Sequence, residues 1–165
     1  MKVRHIAILI LLPFLTFGCP VGSKYPLSES NKSQVDERLL GSWKSIKQDK
    51  DSGKIYIWQF NENEYYMEIK GDNDNNINRV RAFMTVIDNV RILNTKELKM
   101  VNEQQEYVYI KYEISNDNIL TFWTMDSKLL PKKEMTNIEL FSSIMTNINI
   151  DKFYEKFGSF IRYRP

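Results

Sequence analysis

The sequence predicts a mainly β protein, an antiparallel meander that closes into a barrel and carries a C-terminal helix. Three observations lead there. Short runs of β-branched and aromatic residues recur between clusters of Asn, Asp, Ser and Gly from Trp43 to Met125, the pattern of consecutive hairpins. The chain beyond residue 35 has the length of one domain, and 42% hydrophobic and 13% aromatic residues are ample for one core. After Thr136 the spacing of apolar residues turns from strand-like to helical.

A different kind of segment precedes that domain. Lys2, Arg4 and His5 lead an apolar run from Ile6 to Phe17, then Gly18 and the only cysteine, Cys19. Pro13 interrupts the run, which falls short of the ~20 residues a membrane-crossing helix needs, so it reads as an export signal. Pro20 to Val35 is rich in Ser, Gly, Pro and Asn without apolar period, the composition of a spacer. The expected organisation is a signal peptide over 1–18, a flexible tether over 19–35 and the barrel domain with its helix over 36–165.

Within the domain, Asp36 to Leu40 has room for one helical turn before a first strand at Trp43 to Ile46. Gln48 to Gly53 is a polar turn. Strands are expected at Ile55 to Phe60 and Tyr65 to Lys70, joined by Asn61-Glu62-Asn63. Arg79 to Ile87 and Val90 to Leu93 flank Asp88-Asn89, a tight hairpin signal. Lys96 to Gln105 is a polar connection, and Tyr107 to Ile114 and Ile119 to Met125 form the next hairpin. Thr136 and Glu139 fit a capping box for a helix over about 137–147, with Ile138, Phe141, Ile144, Met145 and Ile148 on the face meant for the sheet. A second short helix from Asp151 to Lys156, ended by Gly158, and a closing strand from Ser159 to Arg164 complete the chain. Closure removes the exposed edges of so long a meander.

Leu15-Thr16-Phe17-Gly18-Cys19 resembles the lipobox-type signal of bacterial lipoproteins. The resemblance implies a diacylglycerol thioether on Cys19, an acylated new N-terminus and attachment to a membrane of the cell envelope. The run from Tyr25-Pro26-Leu27 through Asp36-x-x-Leu39-Leu40-Gly41-x-Trp43 also resembles small bacterial lipoproteins, a likeness that implies topology and no activity. Gly41-Ser42-Trp43 further resembles the Gly-x-Trp opening of lipocalin-type barrels. There the Trp plugs the closed end, and a basic side chain of the last strand, here Arg162 or Arg164, covers its ring, an arrangement worth ~0.5–2 kcal/mol.

Cleavage before Cys19 changes the chemical inventory. The chain has 23 Lys and Arg against 21 Asp and Glu; residues 1–18 contain Lys2 and Arg4 and no acid, leaving 21 of each. A neutral domain lacks the basic footprint that nucleic acid requires. The only histidine, His5, leaves with the signal, and lipid caps the only thiol. Triads, Cys-His pairs, zinc sites built on His or Cys, and disulfides within the chain are thereby excluded.

Asp72, Asp74 and Asn76 alternate as in a calcium loop, but Ile77 and Phe83 stand where its Gly and Glu belong. Glu62, Glu64 and Glu68 are near one another in sequence, as paired carboxylates for glycoside hydrolysis would be, although acids around hairpins are usually solvated. The aromatic set Tyr56, Trp58, Tyr66, Phe122 and Trp123 has two readings, a packed core or the lining of a ligand cavity. The expected function is a membrane-tethered, non-catalytic binding lipoprotein holding a small apolar ligand in a lipocalin-like barrel. The alternative is a structural or inhibitory envelope protein acting through surface contacts. Neither reading requires a cofactor, a metal or a nucleic-acid partner.

Overall fold

The computed structural model describes residues 22–47, 52–72, 77–98, 106–126, 128–130 and 136–164. Cys19 and the segment before it, and Asp74 and Asn76, lie outside the described residues. The strands are β1 (Gly22–Ser23), β2 (Gly41–Ser45), β3 (Gly53–Gln59), β4 (Glu64–Gly71), β5 (Ile77–Ile87), β6 (Val90–Glu97), β7 (Tyr107–Ile114), β8 (Ile119–Met125) and β9 (Tyr154–Arg162), with one helix, α1 (Asn137–Asn147), between β8 and β9.

From β2 to β9 each strand pairs antiparallel with the next, and β9 also pairs with β2, so eight strands form a closed up-and-down barrel. The β5–β6 hairpin turns on Asp88 and Asn89 at φ 47° and 65°, the left-handed pair that a tight hairpin demands and that Asn and Asp tolerate without glycine. β6 runs on to Glu97, past the expected end at Leu93, because Asn94, Thr95 and Lys96 still find partners on β7.

The inside of the barrel follows from one commitment. Trp43 pairs with Ile55, Ile55 with Ile69, and Ile57 with Met67. Directly opposed residues share a face, so an inward Trp43 brings these side chains inward with it. Leu39, Val80, Ala82, Leu93, Tyr112, Leu120, Phe122 and Phe160 join them in one continuous interior cluster. Trp43, Tyr65 and Tyr112 are among the largest fully buried side chains, and they fill the end nearest Leu39.

A second cluster lies outside the ring, where α1 covers β6, β7 and β8. Leu140, Ile144 and Ile148 pack on Ile87, Ile92, Tyr109, Met125 and Phe153. The helix begins as its sequence predicts: the Thr136 hydroxyl accepts from the Glu139 amide, and the Glu139 carboxylate accepts from the Thr136 amide at 3.0 Å. Only part of its apolar surface reaches the barrel, however. Ile138, Phe141 and Met145, expected on the sheet, remain exposed beside the buried stripe.

Two other expectations are corrected. The second short helix is a single 3-10 turn, Asp151–Phe153, and β9 starts directly after it, with Gly158 inside the strand at a bulge opposite Phe122 and Trp123. The Ser- and Pro-rich stretch expected to be a free spacer is laid along the barrel throughout its described part, residues 22–35. β1 pairs with Tyr107 and Val108, the Leu27 amide donates to Asn94 Oδ1 at 2.7 Å, Ser28 Oγ meets Thr85 Oγ1 at 2.6 Å, and Ser33 Oγ accepts from the Met84 amide at 2.9 Å. Asn94 is wholly buried by this arrangement and gives its own amide hydrogens to Thr85 and to the Phe83 carbonyl. The segment is held by hydrogen bonds to the sheet's buried polar groups.

Candidate functional site

Three places gather side chains whose chemistry bears on function. The first is the closed end. The Asp36 carboxylate caps the 3-10 turn Glu37–Leu39 by accepting from the Arg38 amide, and it pairs with the Arg38 guanidinium at 2.7 Å. Tyr112 donates to the same carboxylate at 3.1 Å. The hydrogen bonds from Arg38, its side chain above all, hold the Asp36 carboxyl below its ordinary 3.8. Burial pushes the Tyr65 phenol up to about 12 and raises that of Tyr112 further.

The turn delivers Leu39 over the barrel mouth, where its carbonyl accepts from Trp43 Nε1 at 2.8 Å. The Arg162 guanidinium lies 4.6 Å from the centre of the Trp43 ring and donates to the carbonyls of Leu40 and Arg38 at 2.8 and 2.6 Å. Gly41 makes this possible: its φ is +121°, and a Cβ there would stand 3.0 Å from Arg162 Nη1. Of the two arginines proposed for this position, Arg162 occupies it, while Arg164 is exposed two residues further on. These contacts pair Asp36, Arg38, Trp43, Tyr112 and Arg162 with the protein itself. The end is a structural closure.

The second place is the outer face of β3 and β4. The inward commitment of Trp43 sends Tyr56, Trp58 and Tyr66 outward, so these three do not line the interior as a cavity reading requires. Phe122 does face inward, edge-on to Phe160 at 5.8 Å, as a packed core side chain. Trp123 faces outward on β8, where the Lys111 ammonium sits 5.0 Å from its ring centre. The structure therefore splits the predicted set and keeps three members together on one outer face.

Tyr56 and Trp58 lie 5.8 Å apart with rings inclined by 12°, and Trp58 and Tyr66 5.7 Å apart. Tyr163, which the sequence did not single out, extends the row: its ring meets that of Tyr56 at 6.3 Å, and their hydroxyls are 2.7 Å apart. Phe60 continues it beyond Trp58, under the Arg81 guanidinium at 4.5 Å. Trp58 is 46% and Phe60 53% exposed. Tyr66 donates to Glu68 at 2.9 Å, and Glu68 also accepts from Arg79 at 3.2 Å. Loss of water, reinforced by the Tyr56 hydroxyl, raises the Tyr163 phenol to about 12; desolvation first and Glu68 second also move the Tyr66 phenol upward. Both stay protonated donors at neutral pH.

The carboxylates considered for hydrolysis sit at the margin of this face. Glu64 is buried and bonded to Arg81 and to Asn61, and Glu68 is bonded to Tyr66 and Arg79, while Glu62 is exposed in the turn. Two of the three are thus ion-paired on a convex wall. The signal that could have found the row is the i, i+2 spacing of Tyr56 and Trp58 on a strand that a short turn folds back against Tyr66.

The third place is a groove of about 510 Å³ between α1 and the N-terminal segment, lined by Leu27, Asn137, Ile138, Phe141, Ser142 and Met145. Among the described residues, no group of three or more His, Cys, Asp or Glu side chains is placed to hold a metal ion, and no helix is long and apolar enough to cross a membrane.

No family model matches the chain, and no curated protein or solved structure matches it.

Proposed function

We propose that this protein is a lipid-anchored binding module of the bacterial cell envelope that works through the outer surface of its barrel. The observation that carries the proposal is the row Tyr163, Tyr56, Trp58, Tyr66 and Phe60, stacked rings on the outer face of the barrel with Trp58 and Phe60 left in water. Tyr, Trp and Arg are the residue types on which protein interfaces concentrate binding energy. Rings with polar rims combine large contact area with little side-chain entropy to lose. A protein partner in the envelope is therefore favoured over a small molecule held inside, because the inward side chains pack on one another from Leu39 to Phe160. The eight-stranded barrel is the rigid support and carries no reaction in this reading. Attachment through acylated Cys19 is supported by the order of charge, apolar run, Gly18 and Cys19.

The test places a photo-reactive phenylalanine analogue at residue 58 of the full chain in intact cells, with the same analogue at residue 141 as control. A single cross-linked partner from residue 58, reduced by Tyr56→Ala and absent from residue 141, is expected. Adducts of equal yield from both positions, or a bound small molecule in native mass spectra of the purified protein, would overturn the surface reading. Intact-mass analysis of the membrane-extracted product is expected to show acyl mass on a chain beginning at Cys19.

A further inference from the structure

The exposed stripe of α1 and Gly22, the first described residue, lie on the same side of the barrel. Two residues, Pro20 and Val21, lie between Cys19 and Gly22, and the three backbone steps reach at most about 10 Å. Gly22 and Ser23 are already hydrogen-bonded to β7, Ser23 opposite Tyr107. Tyr107 in turn packs against the cluster that α1 covers, together with Leu27. A lipid on Cys19 therefore leaves the protein on the α1 flank, with too little chain between lipid and sheet to let the barrel stand off the bilayer.

What that flank presents is apolar. Ile138 is 82% exposed, and Phe141, Met145 and Tyr25 are each about two-fifths exposed around the groove beside Leu27. On the helix these residues adjoin the buried stripe of Leu140 and Ile144, and Glu139, Ser142, Ser143, Thr146 and Asn147 supply the polar side. Half of the helix circumference is thus apolar, and the barrel covers only part of it.

We infer that this face, Tyr25, Leu27, Ile138, Phe141 and Met145, rests in the headgroup boundary of the membrane to which the chain is anchored. The inference rests on the proposed acylation of Cys19. So short a stripe without basic residues binds a bilayer weakly by itself, but a lipid tied within about 10 Å keeps the bilayer at high local concentration, ahead of any diffusing partner. The geometry also orients the aromatic row. β7 is four strands from β3 in either direction around the ring, so with the α1 flank on the membrane, Trp58 points away from it.

The test uses the full chain carrying Phe141→Trp, extracted from membranes and reconstituted in phosphatidylethanolamine and phosphatidylglycerol vesicles with or without bromine on the acyl chains. Bromine quenches indole at contact range, and wild type gives the background of Trp43, Trp58 and Trp123. Loss of the added emission in brominated vesicles alone, repeated with Met145→Trp and diminished by adding Ile138→Glu, is the expected result. Acyl mass on the protein with emission unaffected by bromine at both positions overturns the membrane-facing assignment and leaves the anchor intact, and that is also the outcome if a protein or a second copy covers the face. A preparation without acyl mass overturns the anchor and this inference with it.

Discussion

The flank under α1 and the flank bearing Trp58 both turn large side chains outward from the same barrel, yet the chain covers one and leaves the other bare. The difference lies in what the outward residues need. On the covered flank Ile87, Ile92 and Met125 are aliphatic, and Asn94 and Thr85 are polar groups that stay buried only because Leu27 and Ser28 bond to them. Left in water, these aliphatics would forfeit roughly 1.5–3 kcal/mol apiece. On the bare flank Tyr56, Tyr66 and Tyr163 satisfy their hydroxyls with one another or with Glu68, and Arg81 covers Phe60. Such rings tolerate water at one edge and still offer an apolar face. A barrel with two greasy sides can thus cover the side that cannot stay wet with its own helix and N-terminal segment and leave the other bare.

The comparison breaks most sharply at Ile144. Ile144→Ala removes a fully buried side chain under α1 and is expected to cost about 2–5 kcal/mol in urea unfolding; a cost no larger than that of a surface change would mean the helix is not part of the cooperative unit. Gly41→Ala strikes the end that both flanks share. Positive φ and the approach to Arg162 set its expected cost at about 1–3 kcal/mol, and loss of the guanidinium from the Trp43 ring should shift that indole's near-ultraviolet circular dichroism.

Asn94→Ala tests whether the N-terminal segment belongs to the covered flank. Orphaning the Leu27 amide should cost about 1–3 kcal/mol and speed amide exchange at Leu27 while leaving Trp58 unaffected. Acid should act next, at the closed end. Arg38 holds the Asp36 carboxyl below its unfolded-chain value, so its contribution is complete above that value and is lost as pH falls through the lower folded one. Asp36→Asn should flatten the stability-against-pH curve below pH ~4, the region of unfolded Asp. Smallest of all, Trp58→Ala should change stability by no more than about 0.5 kcal/mol, the usual range for surface substitutions, while abolishing partner capture by the same analogue moved to residue 60. A stability loss as large as that of Ile144→Ala would return Trp58 to the core.

Strand positions were legible because hairpins announce themselves twice, in alternation and in the Asn, Asp and Gly between. The capping box of α1 was legible for the same reason, as a local bond with local residue requirements, whereas the Gly41-x-Trp43 closure was legible through its resemblance to a known opening, since Arg162, which completes it, bonds to Leu40 across 122 residues. Facing was not. Ile55 and Ile57 alternate with Tyr56 and Trp58, and either pair would satisfy an apolar interior; the choice falls to the pairing of Ile55 with Trp43, a contact between strands. Nor was the fate of residues 22–35, whose composition describes a spacer, because what fixes them lies 67 and 57 residues away, in Asn94 and Thr85. Gly158 illustrates the converse: read as a helix stop, it belongs to a strand whose neighbour needs an irregular step beside Trp123.

The seam of the ring joins the first barrel strand to the last strand of the fold, with Trp43 opposite Arg162. A polypeptide made from its N-terminus onward has no second half of that seam until Tyr154–Arg162 has been added. Until then the meander is an open ribbon with two sticky rims, and the indole meant to plug it has nothing above it. Joining such distant parts is slow. Closing the ring is thus a step that cannot begin before the ninth strand exists, however early the hairpins before it have formed.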